Sequence, residues 1–328
     1  MEIGNENAAC PYFATQSMQK SSEIVFCPYN YLLDVGIREH MGLALDNAVV
    51  IFDEAHNIED VCNSLASFET DLQQIESAVS ELRKIRDVAK ANPGMEEELR
   101  TALECMHAPW DAFLSWIRQS ISCGLKTTGF QHEIGVWHSD SMLLVLDTCG
   151  FNSSNFVQQI SHLEKILEFN SQLVPVQGDK ISANKIQGVW LDLSLSVTIL
   201  LESFFKVLKY IFESSSKFAP DFKLILQKEI SKVGDPNPRR QFDRQERVWT
   251  YTVSFICFNP AVAFEAIQKR SRSVILTSGT LSPMDSFASE LATDFSIKLE
   301  APHVIPPSQV LIGSVSSIEN NGVKINTR

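Results

Sequence analysis

Val49-Val50-Ile51-Phe52-Asp53-Glu54-Ala55-His56 runs four apolar residues straight into two carboxylates and a histidine. A short continuous apolar run of this kind fits a strand buried on both faces, as in a parallel sheet covered by helices. Ligands in such sheets bind beyond the carboxyl ends of the strands, where Asp53 and Glu54 fall. Adjacent carboxylates there can hold a magnesium ion and orient a water for attack on a phosphate. A second reading stays open, in which the acidic pair and His56 open the next helix, where negative charge is favoured.

Upstream, Glu23 to Cys27 reads as a strand ending at Pro28, followed by a helix with Leu32, Leu33, Ile37 and Met41 on one face. Cys10-Pro11-Tyr12-Phe13 opens the ordered part, and by itself Cys10 is a small buried residue before a turn. Downstream of Glu59 the pattern turns helical. Ile75, Val79, Leu82 and Ile85 recur at helical spacing with Glu76, Glu81, Arg83 and Lys84 outside. Asn92-Pro93-Gly94 is a turn. The run Leu99, Leu103, Met106, Trp110, Phe113, Leu114 and Ile117 predicts a helix interrupted near Pro109, its aromatics serving as core. Residues 122–135 read as loop, and further helices are expected over 156–169, 191–212 and 221–230.

Gly234-Asp235-Pro236-Asn237-Pro238 is a breaker and a candidate domain edge. Arg239, Arg240, Arg244 and Arg247 follow it, either as a solvated loop or as a phosphate-contacting rim. Val248 to Phe258 alternates as a strand does. A short helix over 261–269 leads to a second buried strand, Ser273-Val274-Ile275-Leu276-Thr277, which ends in Ser278-Gly279-Thr280-Leu281-Ser282-Pro283. The order is α/β, mostly helical, then α/β again, and a helical domain inserted into a sheet domain accounts for it.

The 328 residues, 44% of them hydrophobic, suffice for one large domain or two to three smaller ones. No apolar run reaches the ~18 residues of a membrane span, and Met1 to Ala9 is acidic and polar, unlike a secretory signal. Seven cysteines without a repeated spacing point to a reduced compartment rather than a disulfide framework. A protein that grips nucleic acid by broad electrostatics is normally basic, and the net charge here is -12, so any strand-binding surface must be a local basic patch or be completed by parts that are missing.

Three words in order, Cys10-Pro11-Tyr12-Phe13, Asp53-Glu54-Ala55-His56-Asn57 and Thr277-Ser278-Gly279-Thr280-Leu281-Ser282-Pro283, resemble the xeroderma pigmentosum group D-type iron–sulfur DNA helicases, a DEAH branch of superfamily two. Asp53 and Ser278 stand 225 residues apart, which suits that family's helical Arch insertion. Phe26 to Asp34, Ile58-Glu59-Asp60 and Asn259 to Phe264 carry a finer resemblance to its Fanconi anaemia group J branch, with the telomere-length-regulator branch as near rival.

The resemblance implies a RecA-like parallel-sheet P-loop NTPase core, incomplete here, with an inserted mostly α-helical Arch domain. Residues 1–22 would be the tail of an iron–sulfur domain, 23–70 part of the first motor domain, 71–245 the Arch, 246–303 the first motor domain resumed, and 304–328 the start of the second. It implies a middle section of an ATP-dependent 5′ to 3′ DNA helicase acting in DNA repair in the nucleus. Single-stranded or forked DNA and repair proteins would be its partners, with no membrane. Asp53 would hold Mg²⁺, Glu54 would polarise the attacking water, and His56 would link the ATP site to Ser278, Gly279 and Thr280. Cys10 would be the fourth thiolate of a [4Fe–4S] cluster.

No Gly-x-x-x-x-Gly-Lys-[Ser/Thr] phosphate loop occurs in the 328 residues, and the three cysteines that precede Cys10 in the family are absent. Both ends are therefore expected to be truncated, and the chain by itself is expected to be inactive on ATP. Two other classes stand against the helicase: a non-catalytic helical docking or DNA-gating module, and a metal-dependent nuclease built on Asp53 and Glu54. The nuclease leaves His56 and the Ser-Gly-Thr word without a role.

Overall fold

The computed structural model describes residues 10–92, 94–129, 132–171, 185–186, 189–190, 193–232, 247–301, 305–311 and 313. In chain order the helices and strands are α1 (Pro11–Met18), α2 (Tyr29–Leu33), α3 (Val35–Met41), β1 (Val49–Asp53), α4 (Ile58–Ala66), β2 (Phe68–Asp71), α5 (Leu72–Ala91) and α6 (Glu97–Cys123). Next come β3 (Lys126–Gly129), β4 (His132–His138), α7 (Ser139–Thr148), α8 (Phe156–Ser171), β5 (Lys185–Ile186), β6 (Val189–Trp190) and α9 (Leu195–Ser216). Then follow β7 (Phe222–Lys232), β8 (Arg247–Cys257), α10 (Ala261–Arg270), β9 (Ser273–Thr277) and α11 (Met284–Glu290). Contacts divide the chain into two units, Met1–Thr293 and Asp294–Arg328. The second unit holds a single 3-10 turn, Pro307–Gln309, among its described residues.

In the first unit β1 and β9 form a parallel pair, while β2, β8, β7, β4 and β3 form an antiparallel sheet in that order. The two sheets need different connections. Antiparallel neighbours can be joined by a short turn, but parallel strands need a crossover, and here residues 54–272 lie between β1 and β9. The chain leaves the β1 side through β2 and returns through β8, and these two strands pair with each other, Phe68 opposite Phe255. The way in and the way out of the insertion are thus one hydrogen-bonded seam.

The core of the insertion is aromatic. Phe204 of α9 sits at its centre, with ring centroids 4.6 Å from Trp110, 5.1 Å from Phe151 and 5.7 Å from Phe255. All four are fully buried, and each such pair adds about 0.5–1.5 kcal/mol beyond burial of its area. Phe222, Leu224 and Leu226 of β7 face this core across from Cys257, Phe255 and Val253 of β8. In α5, Ile75, Val79, Leu82 and Ile85 form the buried stripe that their spacing predicts.

Several sequence expectations are corrected. The helix expected over 221–230 is instead strand β7, Phe222–Lys232, where the buried positions alternate with a period of two. Part of the expected loop at 122–135 is the strand pair β3–β4. Helix α6 runs through Pro109 without a break. Proline there removes the bond to the carbonyl of Cys105, an exposed residue, while its buried ring lies beside Gly150, where an added Cβ would sit 3.6 Å from Pro109 Cγ. Glu23 to Cys27 forms no strand, and Phe26 is 95% exposed.

The expected single helix after Pro28 is broken at Asp34 into α2 and α3. Nor is β1 buried on both faces. Val50 and Phe52 are buried while Val49 and Ile51 are exposed, because nothing among the described residues packs on that side. In β9, likewise, Ile275 stays exposed. The breaker 234–238 lies outside the described residues, but β7 before it and β8 after it pair in register from Phe222–Cys257 to Lys232–Arg247.

Asp34 explains its helix break. Its Oδ1 accepts the Ile37 amide at 3.1 Å and so caps α3. Its Oδ2 accepts from Lys206 Nζ of α9 at 3.0 Å, tying the segment before β1 to the insertion. Burial by itself pushes the Asp34 carboxyl up, but the Ile37 amide, Lys206 and the Gly36 amide outweigh it and hold the group below its ordinary value. A depressed carboxyl contributes stability that is complete above the unfolded value of about 4 and is lost as pH falls through the folded one. Asp34→Asn is expected to cost about 1–2 kcal/mol at neutral pH, as loss of a charge-assisted hydrogen bond does. It should also flatten the acid limb of stability below about pH 4. Urea unfolding of the chain across pH measures both, and an unchanged acid limb would remove Asp34 from the account.

Candidate nucleotide and coupling site

The site begins with register. Val49 lies opposite Ser273 and each following pair steps in phase to Asp53 opposite Thr277. Carried one residue further, that register sets Glu54 beside Ser278. It is held at the strands' entry, where the Arg272 amide donates to the Ala48 carbonyl at 2.9 Å. There too Arg270 Nε and Nη2 each reach a carboxylate oxygen of Asp46 at 3.2 Å.

At the exit the backbone turns sharply. Glu54 adopts a left-handed conformation, φ 52 and ψ 43, which costs a side-chain-bearing residue about 1–2 kcal/mol. Its amide donates to Asp53 Oδ1 at 3.0 Å. Ala55–Asn57 then make a 3-10 turn and α4 starts at Ile58. The reading of Glu54 and His56 as helix-opening residues stands beside this one, since Glu54 is the N-cap of the 3-10 turn that runs directly into α4, whose own first turn carries Glu59 and Asp60. Ile58, Cys62 and Ala66 form the buried stripe of α4, which sets the turn on the core.

Glu54, His56, Ser278 and Thr280 come together. His56 Nδ1 lies 2.8 Å from Ser278 Oγ and 3.2 Å from Glu54 Oε2. Ser278 Oγ donates to Glu54 Oε2 at 3.3 Å, accepts from the Thr280 amide at 3.3 Å and lies 3.5 Å from Thr280 Oγ1. The side chains of His56 and Glu54 remain 41% and 65% exposed, so these contacts are individually weak and easily exchanged with water. Gly279 is open, with no atom within 4 Å of where a Cβ would stand.

Asp53 and Glu54 offer hard oxygen donors, with one Asp53 oxygen engaged by the Glu54 amide. This suits Mg²⁺, which is held through one or two carboxylates plus waters and phosphates rather than by an all-protein cage. The cluster is another matter. Cys10 is exposed and caps α1, which corrects its reading as a buried residue. No group of three or more His, Cys, Asp or Glu able to hold a metal ion occurs among the described residues. A cubane cluster needs four ligands, so the described residues do not fit one. Arg239, Arg240 and Arg244 lie outside the described residues. Arg247 is placed only as the first residue of β8.

Residues 1–75 match the family model described as DEAD_2. The chain is 36% identical over 334 residues to the Fanconi anemia group J protein homolog of Gallus gallus, covering 98% of this chain and 25% of that relative. In these matches the chain is similar to xeroderma pigmentosum group D-like DEAH helicases. It is also 30% identical over 320 residues to the Regulator of telomere elongation helicase 1 homolog of Oryza sativa subsp. japonica, covering 96% of this chain and 30% of the relative. The protein of the same name from Arabidopsis thaliana is 30% identical over 323 residues, 97% of this chain and 28% of its own length. The chain thus spans between a quarter and a third of these relatives. No helix among its described residues is long and apolar enough to cross a membrane.

Tyr29 belongs to this neighbourhood and sequence reasoning missed it, since nothing in Tyr29-Asn30-Tyr31 separates one tyrosine from the other. Its ring meets Phe52 edge-on with centroids 5.6 Å apart. Burial, then the charges of Asp53 and Glu54, push its phenol above the ordinary value. Asp53→Asn combined with Glu54→Gln is expected to bring the Tyr29 titration part of the way down, leaving the larger contribution of burial. The ¹³Cζ shift of Tyr29 followed through alkaline pH measures it, and an unmoved titration would place the phenol outside the field of the carboxylates.

Proposed function

We propose that this chain is the middle section of an ATP-dependent DNA helicase that moves 5′ to 3′ in DNA repair in the nucleus. The observation that carries the reading is the meeting of Glu54 and His56 with Ser278 and Thr280 at the exits of two parallel strands. Phosphoryl transfer asks a protein for placement and charge rather than covalent chemistry. Asp53 would hold Mg²⁺ through its water shell, and the ion when bound would neutralise charge on the ATP phosphates. Glu54 would orient and polarise the attacking water. His56 would carry the state of that water to Ser278 and, through the hydroxyl–hydroxyl contact, to Thr280, with Gly279 leaving room for another backbone to approach.

In this reading 23–70 and 246–303 form the first motor domain, 71–245 the Arch insertion, 1–22 the end of an iron–sulfur domain and 304–328 the start of a second motor domain. The β2–β8 seam supports an insertion whose two ends are neighbours. Arg239, Arg240, Arg244 and Arg247 would contact phosphates of single-stranded or forked DNA, and repair proteins would be further partners. Cys10 would supply one thiolate of a [4Fe–4S] cluster.

A second reading, a non-catalytic docking or DNA-gating module, is favoured by the aromatic core that Trp110, Phe151 and Phe204 form within the insertion. Transcript sequence upstream of Met1 discriminates the two. An in-frame Gly-Lys-Thr loop with three cysteines supports the helicase, and an authentic start at Met1 supports the module. For the helicase, Glu54→Gln in the longest natural form of the protein is expected to lower DNA-stimulated ATP turnover by about 100-fold or more, as loss of a general base does. Unchanged turnover would refute the role given to Glu54.

A further inference from the structure

We infer that the contact between Arg86 of α5 and His107 of α6 is an acid-sensitive clasp. It holds the two long helices together while the imidazole is neutral and releases them when the ring takes up a proton. The clasp does not depend on the helicase reading, since both helices lie within the insertion. Arg86 Nη1 stands 2.8 Å from His107 Nδ1. A guanidinium has hydrogens to give and no lone pair to offer, so Nδ1 is the acceptor and the neutral ring carries its hydrogen on Nε2. His107 is 5% exposed, and its Nε2 is buried with no partner among the described residues. A proton added to this ring lands on Nδ1 and faces Arg86 donor to donor, so the bond that joins the helices does not survive it.

The surroundings leave the added charge no carboxylate to itself. On α5, Arg86 donates from Nε at 2.9 Å and from Nη2 at 2.6 Å to Asp87 Oδ1. Arg83 Nη2 donates to Asp111 Oδ1 of α6 at 2.8 Å. Lys90 and Glu104 pair across the same two helices at 3.1 Å, and Lys165 of α8 pairs with Glu98 at the start of α6. Burial first, and then the Arg86 charge, push the imidazole below its ordinary value of 6.5; Asp111 and Asp87 oppose this and Arg83 adds to it. The unfolded chain therefore takes up the proton first as pH falls, and the stability tied to the neutral ring is lost between about 6.5 and the folded value. Trp110, about one turn along α6, extends the effect beyond one bond. Its ring centroid lies 4.6 Å from that of Phe204 in the core, and its Nε1 is likewise buried without a partner. Two unanswered donors so close together lower the cost of opening this stretch, because both find water when it loosens.

Two measurements on the whole chain test the clasp. Ring ¹⁵N shifts of His107 are expected to show a pyridine-like Nδ1 at neutral pH and a titration below the ordinary value. Amide exchange, corrected for its own dependence on pH, is expected to show residues 83–90 and 104–111 opening about threefold or more often at mildly acidic than at neutral pH, with β7 and β8 changing less. His107→Asn keeps an acceptor near the place of Nδ1 and cannot take a charge, so it should remove that rise. His162 is also pushed down by burial and titrates in the same window, so this variant assigns the effect to His107. A protonated Nδ1 at neutral pH, a titration at or above the ordinary value, or a rise that persists in His107→Asn would each overturn the clasp. Should that variant fail to fold, Arg86→Gln decides. Loss of the guanidinium charge should move the ring titration up, and an unmoved titration removes Arg86 from the clasp and overturns it.

Discussion

The in-phase parallel pairing of β1 with β9 is the constraint on which the candidate site depends. Asp53 opposite Thr277 is what turns two distant words into one neighbourhood. A slip of one residue would reverse which side chains face the core and carry Ser278 away from Glu54. The pairing is short, and a two-stranded sheet is marginal in isolation. Its support comes from around it: Val50 and Phe52 pressed into the core, Phe264 of α10 against Phe52 with centroids 6.0 Å apart, and the Arg270–Asp46 pair at the strands' entry.

Stability and chemistry are distributed unequally over the chain. Of the largest buried side chains, Trp110, Phe113, Phe151, Phe204, Phe222 and Phe255 belong to the insertion and its sheet, while Arg38, Phe52 and Phe264 lie outside them. The acidic tip of β1 and the Ser-Gly-Thr word lie at the surface, joined by contacts that water can replace. Asp34–Lys206 connects the two regions. It reaches from the segment before β1 to α9 while capping a helix, so one carboxylate serves local and long-range order together.

Legibility followed the strength of the local signal. β8, α10 and β9 were readable nearly to the residue, because alternation, a short amphipathic run and a β-branched run each have one natural reading. The strand at 222–232 was not. Ile225 and Ile230 fall among the alternating Phe222, Leu224 and Leu226 and blur a period of two toward 3.6. Continuity of α6 across Pro109 was illegible as well, since it depends on which side of the helix faces solvent and on Gly150 leaving space for the ring.

The sequence by itself determined the chemistry available, carboxylates ending an apolar strand and hydroxyls ending another, together with the helical character of much of what lies between them. Local patterning suffices for that, because side-chain type and periodicity are properties of neighbours along the chain. Only the tertiary structure decided that Glu54 and His56 share Ser278, that Tyr29 stands within the field of the carboxylates, and that β2 and β8 close the insertion. Those facts turn on strand register and on which faces meet, and both are set by packing between residues far apart in the chain.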